Sequence, residues 1–400
     1  MISNVKLISI SKLLFALYVF YESVLQYVIS PITGLSYVLL FGAVMLLLIY
    51  NRRMIADRNA IMFLLFGVYV VTIGMLVAKD TNKVLTTAVH YFEYVIAFYL
   101  VGCYSREDKN IDFSVKTIIL LGIIASLSQI FVGKSTIRQS IAENVNTNTT
   151  GIMITYALGF LLYYFIYIKK TRFRIILVSG IVLLFVFCIV QTGSKKGIIT
   201  SGMLFLFWLW ICYEEAFKKM NSMVRIIITI TLIIGTYYAY KWYTTEYSDM
   251  YSYVQYRMEN IGGLSTQERI HLIKEGFQIF LNHPLFGVGF NNARYYTYLS
   301  TYTHCFYTEL LACTGIIGTL IFIIPMINVF AILMKKLNYD RYKNYRTENV
   351  KTKYLMVIYV MLLTMNLASI MLYMFSHFFA FSIINGYILI SSDERTYLNQ

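Results

Sequence analysis

Apolar runs close to twenty residues long recur from one end of this chain to the other, and that recurrence leaves few folds open. A helix rises about 1.5 Å per residue, so about 20 apolar residues cross the roughly 30 Å hydrocarbon core of a bilayer. Inside that core every backbone N–H and C=O must be paired within the spanning structure. About twelve runs of this kind can be drawn, over 7–29, 31–50, 60–78, 84–104, 115–132, 151–168, 174–191, 197–213, 224–243, 305–333, 353–372 and 374–391. With 58% hydrophobic residues, 14% charged residues and a mean hydropathy of +0.63, an ordinary soluble domain is excluded. The expected fold is all-α, a polytopic integral membrane protein of about twelve spans. No fixed-period repeat, Gly/Ser linker or low-complexity tail divides it, so residues 1–400 read as a single integral membrane domain, with one long loop over 244–304.

The net charge of +14 suggests an acidic partner until its distribution is considered. Most of it falls in short connections: Asn51-Arg52-Arg53, the basic run 169–174, and 335–353 with seven basic and two acidic residues. Positive charge so placed marks the cytoplasmic side. Both termini are then expected inside and the 244–304 loop outside, where Arg257, Arg269, Lys274 and Arg294 are balanced by Glu246, Asp249, Glu259, Glu268 and Glu275. Nucleic acid is not an expected partner; membrane lipid is. The first apolar run lacks a small-residue cleavage site and is expected to remain as the first span. Five cysteines at 103, 188, 212, 305 and 313 show no close-pair spacing, so neither a structural disulfide nor a zinc site is expected.

Charge, histidine, glycine and proline meet in one stretch, Ser265 to Thr319. Ser265 with Glu268 three residues on forms a capping box that opens a helix, and Ile270, Ile273, Phe277 and Phe280 recur at helical spacing along one face of it. Asn282-His283-Pro284 ends that helix, since a residue before proline is pushed out of the helical region. Gly287 and Gly289 permit a tight turn. His304 stands at the threshold of the next apolar helix, at the water boundary. Ala312, Gly315 and Gly318 place small residues on one side of that helix, where a neighbouring helix can approach.

The turn N282-H-P-L-F-G-V-G-F, the histidine at 304 and T308-E-L-L-A-C-T-G-I-I-G together resemble the signature of the O-antigen ligase and polymerase superfamily. Its usual pattern is an Asn-Pro-Leu-x-Gly-x-Gly turn, a His-Asn pair opening a helix, and Glu followed by Thr-Gly-Ile-Ile-Gly. Here His283 is inserted in the turn and Cys305 stands in place of the asparagine. Thr192-Gly193-Ser194-Lys195 resembles the superfamily's Thr-Gly-Ser-Arg element, with lysine for arginine, and Arg269 resembles the arginine ahead of the Asn-Pro turn.

The resemblance implies a GT-C-like architecture with short amphipathic helices in the external loop. It also implies a bacterial cytoplasmic membrane enzyme: a glycosyltransferase that polymerises capsule or O-antigen repeat units. The implied reaction transfers a growing glycan from undecaprenyl pyrophosphate to the non-reducing end of a lipid-linked oligosaccharide repeat unit on the external face. A flippase and a chain-length regulator are the implied protein partners. His304 is the catalytic candidate, because an imidazole titrating near neutrality can take a proton from a sugar hydroxyl. Lys195, Lys196, Arg269 and Arg294 are the candidates for holding pyrophosphate. Lysines at 195 and 196 also fit snorkelling to lipid headgroups, and Arg269 also fits a salt bridge to Glu268 or Glu275. Glu309 either orients the imidazole or packs against Arg269. His90 and Glu93, three residues apart, face one side of their span and either satisfy each other or line a cavity, while Glu22 and His377 fall toward the external half of theirs. Tyr247, Tyr251, Tyr253, Tyr256, Tyr295, Tyr296 and Tyr298 suit sugar stacking or an interfacial belt. The external loop has no carboxylate pair at metal spacing and the chain has no Gly-rich nucleotide loop, so no metal and no cofactor is expected. A ligase that hands finished glycan to another acceptor is an alternative within the enzyme class. A lipid-linked oligosaccharide flippase is the alternative outside it, although transporters commonly show internal repeats and midplane sites.

Overall fold

A computed structural model describes residues 4–29, 31–32, 34–51, 57–132, 139–142, 145–215, 241, 245, 252–253, 255–256, 259 and 264–398. Among the described residues the chain is helical and carries no strand. The principal helices are α1 (Asn4–Phe20, continued by a π-helical turn at Tyr21–Leu25 and by Gln26–Val28), α2 (Leu35–Asn51), α3 (Arg58–Val77), α4 (Thr81–Asp108), α5 (Asp112–Phe131) and α6 (Thr147–Tyr167). They are followed by α7 (Arg172–Gln191), α8 (Lys195–Glu215), α9 (Leu264–Asn282), α10 (Phe306–Tyr342), α11 (Arg346–Met365) and α12 (Phe375–Leu398). Among the described residues, seven helices are long and apolar enough to cross a membrane: α1, α3, α4, α5, α6, α7 and α10. The helices α2 and α12 contain shorter apolar segments. The expected span over 224–243 lies almost wholly outside the described residues, as do Tyr247, Tyr251 and the pair Arg52-Arg53.

The chain divides into two compact units. The first comprises residues 1–121, 262–343 and 359–400. Its centre is a set of interlocking rings: Phe63 and Phe66 on α3, Tyr91 and Phe98 on α4, Phe322 on α10, and Phe378 and Phe381 on α12, many of them meeting edge to face. Such pairs add about 0.5–1.5 kcal/mol each beyond area burial. A buried polar chain joins the same helices: Asn328 donates to Asn59, Asn59 to Asn385, and Asn385 to Asp57, whose carboxylate also caps α3. In a membrane, where an unpaired amide is costly, this closed chain fixes the register of α3, α10 and α12.

The second unit comprises 122–261 and 344–358. Here the second half of α5 packs closely on α6, and α6 on the α7–α8 turn: a Cβ on Gly122 would lie 2.3 Å from that of Ala157, and one on Gly151 would lie 2.8 Å from the Thr192 hydroxyl. The turn between α7 and α8 is the Thr192-Gly193-Ser194 element. Gly193 takes φ +59°, Thr192 Oγ1 accepts from the Ser194 amide, and Ser194 Oγ accepts from the Gly197 amide and so caps α8.

Candidate functional site

A break in one helix shapes the polar loop of the first unit. Gly315 sits inside α10 at φ +61°, ψ −168°, which interrupts the helical hydrogen bonding on either side. The freed groups are taken up by the 284–289 turn: Val288 N–H donates to Ala312 O (2.9 Å) and Gly289 N–H to Cys313 O (3.0 Å). In return, Ile316 N–H donates to Pro284 O (2.8 Å) and Ile317 N–H to Leu285 O (3.4 Å). Tyr69 on α3 donates its hydroxyl to Thr314 O at 2.8 Å. A Cβ on Gly315 would lie 2.3 Å from the Leu285 carbonyl carbon, and one on Gly287 would lie 2.5 Å from that of Cys313, which is why both positions are glycine.

One sequence expectation is corrected here. Ala312, Gly315 and Gly318 do not form one continuous face for a neighbouring helix. What approaches Gly315 is the turn, whereas Gly318 faces Tyr69 of α3. The apolar stripe of α9, which the sequence leaves free to face lipid or protein, is largely its outward side. Ile270 and Phe277 are exposed, while Leu272 and Ile279 are buried. Gly276 decides which side packs, since its missing side chain admits Thr303, whose Cγ2 would otherwise stand 2.6 Å from a Cβ.

Beyond the turn, the loop is docked on the junction of α3 and α4. Asn292 accepts from the Asp80 amide and donates to the Asp80 carbonyl. Tyr295 donates to the Asp80 carboxylate at 2.6 Å, and Lys79 lies 3.7 Å from the centre of the Tyr296 ring. The Tyr295 hydroxyl and the Lys83 amide hold the Asp80 carboxyl below its usual range. Asn291, in the left-handed region, donates to Thr87 and accepts two bonds from Arg294 at 3.1 and 2.6 Å.

The loop ends at Thr303-His304-Cys305. His304 takes φ +61°, a conformation that histidine adopts more readily than most side chains but that still carries strain. Its ring lies 4.3 Å from that of Tyr302 and remains partly exposed. What secures this conformation is Glu309, fully buried in the first turn of α10. One carboxylate oxygen accepts the Thr303 amide at 2.8 Å, and the other accepts the Tyr373 hydroxyl at 2.9 Å and the Cys313 thiol at 3.5 Å. Glu309 therefore anchors the backbone beside His304, a role the sequence reading had not considered. Cys305 is the N-cap of α10 and makes no side-chain cap bond.

Arg269 and Arg294 both bear on Tyr302: burial raises its phenol above the usual range, and the two guanidinium charges oppose that rise. Among the described residues Arg269 makes no ion pair, so a bridge to Glu268 or Glu275 is not its use; Glu275 instead meets His271 and the Tyr298 amide. His304, Arg269, Arg294 and Glu309 are thus brought together around Tyr302 and Tyr373. Neither tyrosine was singled out from the sequence, although Tyr302 lies next but one to His304.

Close by, Tyr373 and Asn291 also line a cavity of about 280 Å³ together with Lys83, Thr86, Thr87, His90, Tyr94 and Leu372. His90 Nδ1 stands 3.3 Å from Glu93, so the pair meets and His90 also faces the cavity. His377 is buried and paired with Ser369 at 2.9 Å. Tyr295 and Tyr298 are exposed on the loop, and Tyr256 is exposed as well. In the second unit, Lys195 and Lys196 occupy the first turn of α8 with side chains partly exposed. A helix N-terminus already carries partial positive charge, so two lysines there raise a positive field. The four cysteines whose side chains are described are free and buried.

Residues 180–323 match a family model described as O-antigen ligase. The matched region holds Lys195, Lys196, Arg269, Arg294, His304 and Glu309, and its family is the one that the 282–319 pattern resembles. The seven helices long and apolar enough to cross a membrane among the described residues fit a polytopic membrane protein. No curated protein matches the chain.

Proposed function

We propose that the protein is a polysaccharide polymerase. It transfers a growing glycan from undecaprenyl pyrophosphate to the non-reducing-end hydroxyl of a lipid-linked repeat unit at the external face of the bacterial cytoplasmic membrane. The observation that carries this reading is the convergence of a partly exposed His304 with two arginines, Arg269 and Arg294, on a loop held by a buried carboxylate. Pyrophosphate is already a good leaving group. The reaction then needs a base at the acceptor hydroxyl and positive charge where the leaving group develops its own.

In this reading His304 removes the acceptor proton as the sugar oxygen bonds to the anomeric carbon, and the carbon–phosphate ester oxygen bond breaks with its electrons passing to pyrophosphate. Arg269 and Arg294 receive that charge. Lys195 and Lys196 are retained as anion-binding candidates of the second unit. Attack opposite the leaving group inverts the anomeric centre, and linkage analysis showing retention would rule this step out.

The test is His304→Ala, with membrane expression confirmed and surface glycan and lipid-linked intermediates resolved by gel and mass spectrometry. Loss of polymer with single repeat units accumulating on the outer face is the expected outcome. Normal polymer removes His304 from the mechanism. Finished polymer left on its lipid carrier identifies a ligase, and units trapped on the inner face identify a flippase.

A further inference from the structure

The first unit contains a cluster that the transfer reading does not use. The ligand atoms of Glu22, His90 and Glu93 all lie within 4.8 Å of one another. Glu22 belongs to α1, at the point where its helix widens into the π-helical turn Tyr21–Leu25. Single π-helical turns within α-helices are frequent at functional sites. His90 and Glu93 share one face of α4.

Glu93 is the independent observation. Its side chain is 4% exposed, and both carboxylate oxygens are buried with no hydrogen-bond partner of acceptable geometry among the described residues. Its polar neighbours are His90 Nδ1 at 3.3 Å and the Tyr37 phenol. Two carboxylates this close within spanning helices are costly unless something cancels their charge, and a protonated His90 cancels only one.

We propose that Glu22, His90 and Glu93 form a binding site for a divalent transition-metal cation, of the Mn²⁺ or Zn²⁺ type. Two oxygens and one imidazole nitrogen suit such ions, and the two carboxylates balance the charge of the ion. His90 must bind as the neutral imidazole, so loading releases its proton if it carries one. Because His90 also lines the 280 Å³ cavity, the remaining coordination positions open toward Lys83, Thr86 and Thr87, where water or the oxygens of an anionic ligand can complete the shell. The site stands independently of the transfer reaction, and its test reads metal rather than activity.

The full chain in lipid nanodiscs is stripped with chelator, equilibrated with Mn²⁺ and freed of excess ion. Bound metal is counted by mass spectrometry, and its environment is read by electron paramagnetic resonance. The expected result is about one Mn²⁺ per chain, with affinity lowered by about tenfold or more in Glu93→Gln and in His90→Ala. His271→Ala, which alters the exposed His271–Glu275 pair on α9, keeps wild-type binding. Glu22→Gln gives the deciding measurement if either of the first two variants fails a thermal-unfolding check. No retained Mn²⁺ above empty nanodiscs overturns the site, and so does wild-type affinity in folded Glu93→Gln or Glu22→Gln.

Discussion

At the scale of single residues, the loop end is held by one carboxylate rather than by the side chain that the superfamily pattern emphasises. Glu309 gathers an amide, a phenol and a thiol, a set of donors that makes a fully buried carboxylate tolerable. Because the amide belongs to Thr303, the carboxylate fixes the left-handed turn at His304 without needing to touch the imidazole. Cys305 shows the opposite economy. It has the extended backbone of an N-cap, φ −127° and ψ 124°, but no side-chain acceptor for the amides of α10. Asparagine is among the best N-caps. Cys305→Asn is therefore expected to stabilise the protein by about 1 kcal/mol, measured as a rise in unfolding temperature in detergent, while leaving polymer formation intact. A lower unfolding temperature would show that the buried position rejects the larger amide.

At the scale of elements, the interrupted helix α10 and the 284–289 turn form one structure. The break at Gly315 would be expensive in isolation, since it strands backbone donors and acceptors in an apolar bundle. The turn supplies the complementary groups, and Tyr69 supplies one more. Each half supplies the backbone partners that the other leaves open. Gly315→Ala introduces both an unfavourable left-handed φ and a Cβ 2.3 Å from the backbone of Leu285. It is expected to cost about 3 kcal/mol or more by overpacking and strain, read as loss of membrane abundance and as protease cleavage within 283–303. Gly202→Ala, where nothing lies within 4 Å of the added carbon, is the matched control and keeps wild-type abundance. Equal abundance of the two variants would mean that the turn and the break are not interdependent.

At the scale of the whole molecule, the distribution of basic residues makes a topological claim that the described cysteines make easy to test. Cys103, Cys188, Cys305 and Cys313 are buried, so they contribute little background to thiol labelling. Tyr298 on the loop is 52% exposed, as is Tyr345 in the basic connection between α10 and α11. A membrane-impermeant maleimide is expected to label Tyr298→Cys in intact cells and Tyr345→Cys after permeabilisation; the reverse pattern would invert the topology. Much of this plan was legible in the sequence. The apolar runs locate the helices because a bilayer demands about 20 paired, apolar residues per crossing, and the glycines and proline of 282–319 announce a turn because no other residues meet its backbone demands. The partners of those residues were not legible. That Gly315 opens α10 to the turn, that Gly276 admits Thr303 against α9, and that Glu309 holds the Thr303 amide are matters of which surfaces meet. Glu22 joins His90 and Glu93 for the same reason, since α1 and α4 are distant in sequence and no spacing rule relates them. The sequence by itself determined where the helices lie, the turn after Asn282 and the residues capable of chemistry, because those follow from local backbone demands and from the solvent around each segment. Which of those residues share a site was decided by the tertiary structure alone, because packing at contact distance between remote segments leaves no periodic trace in the chain.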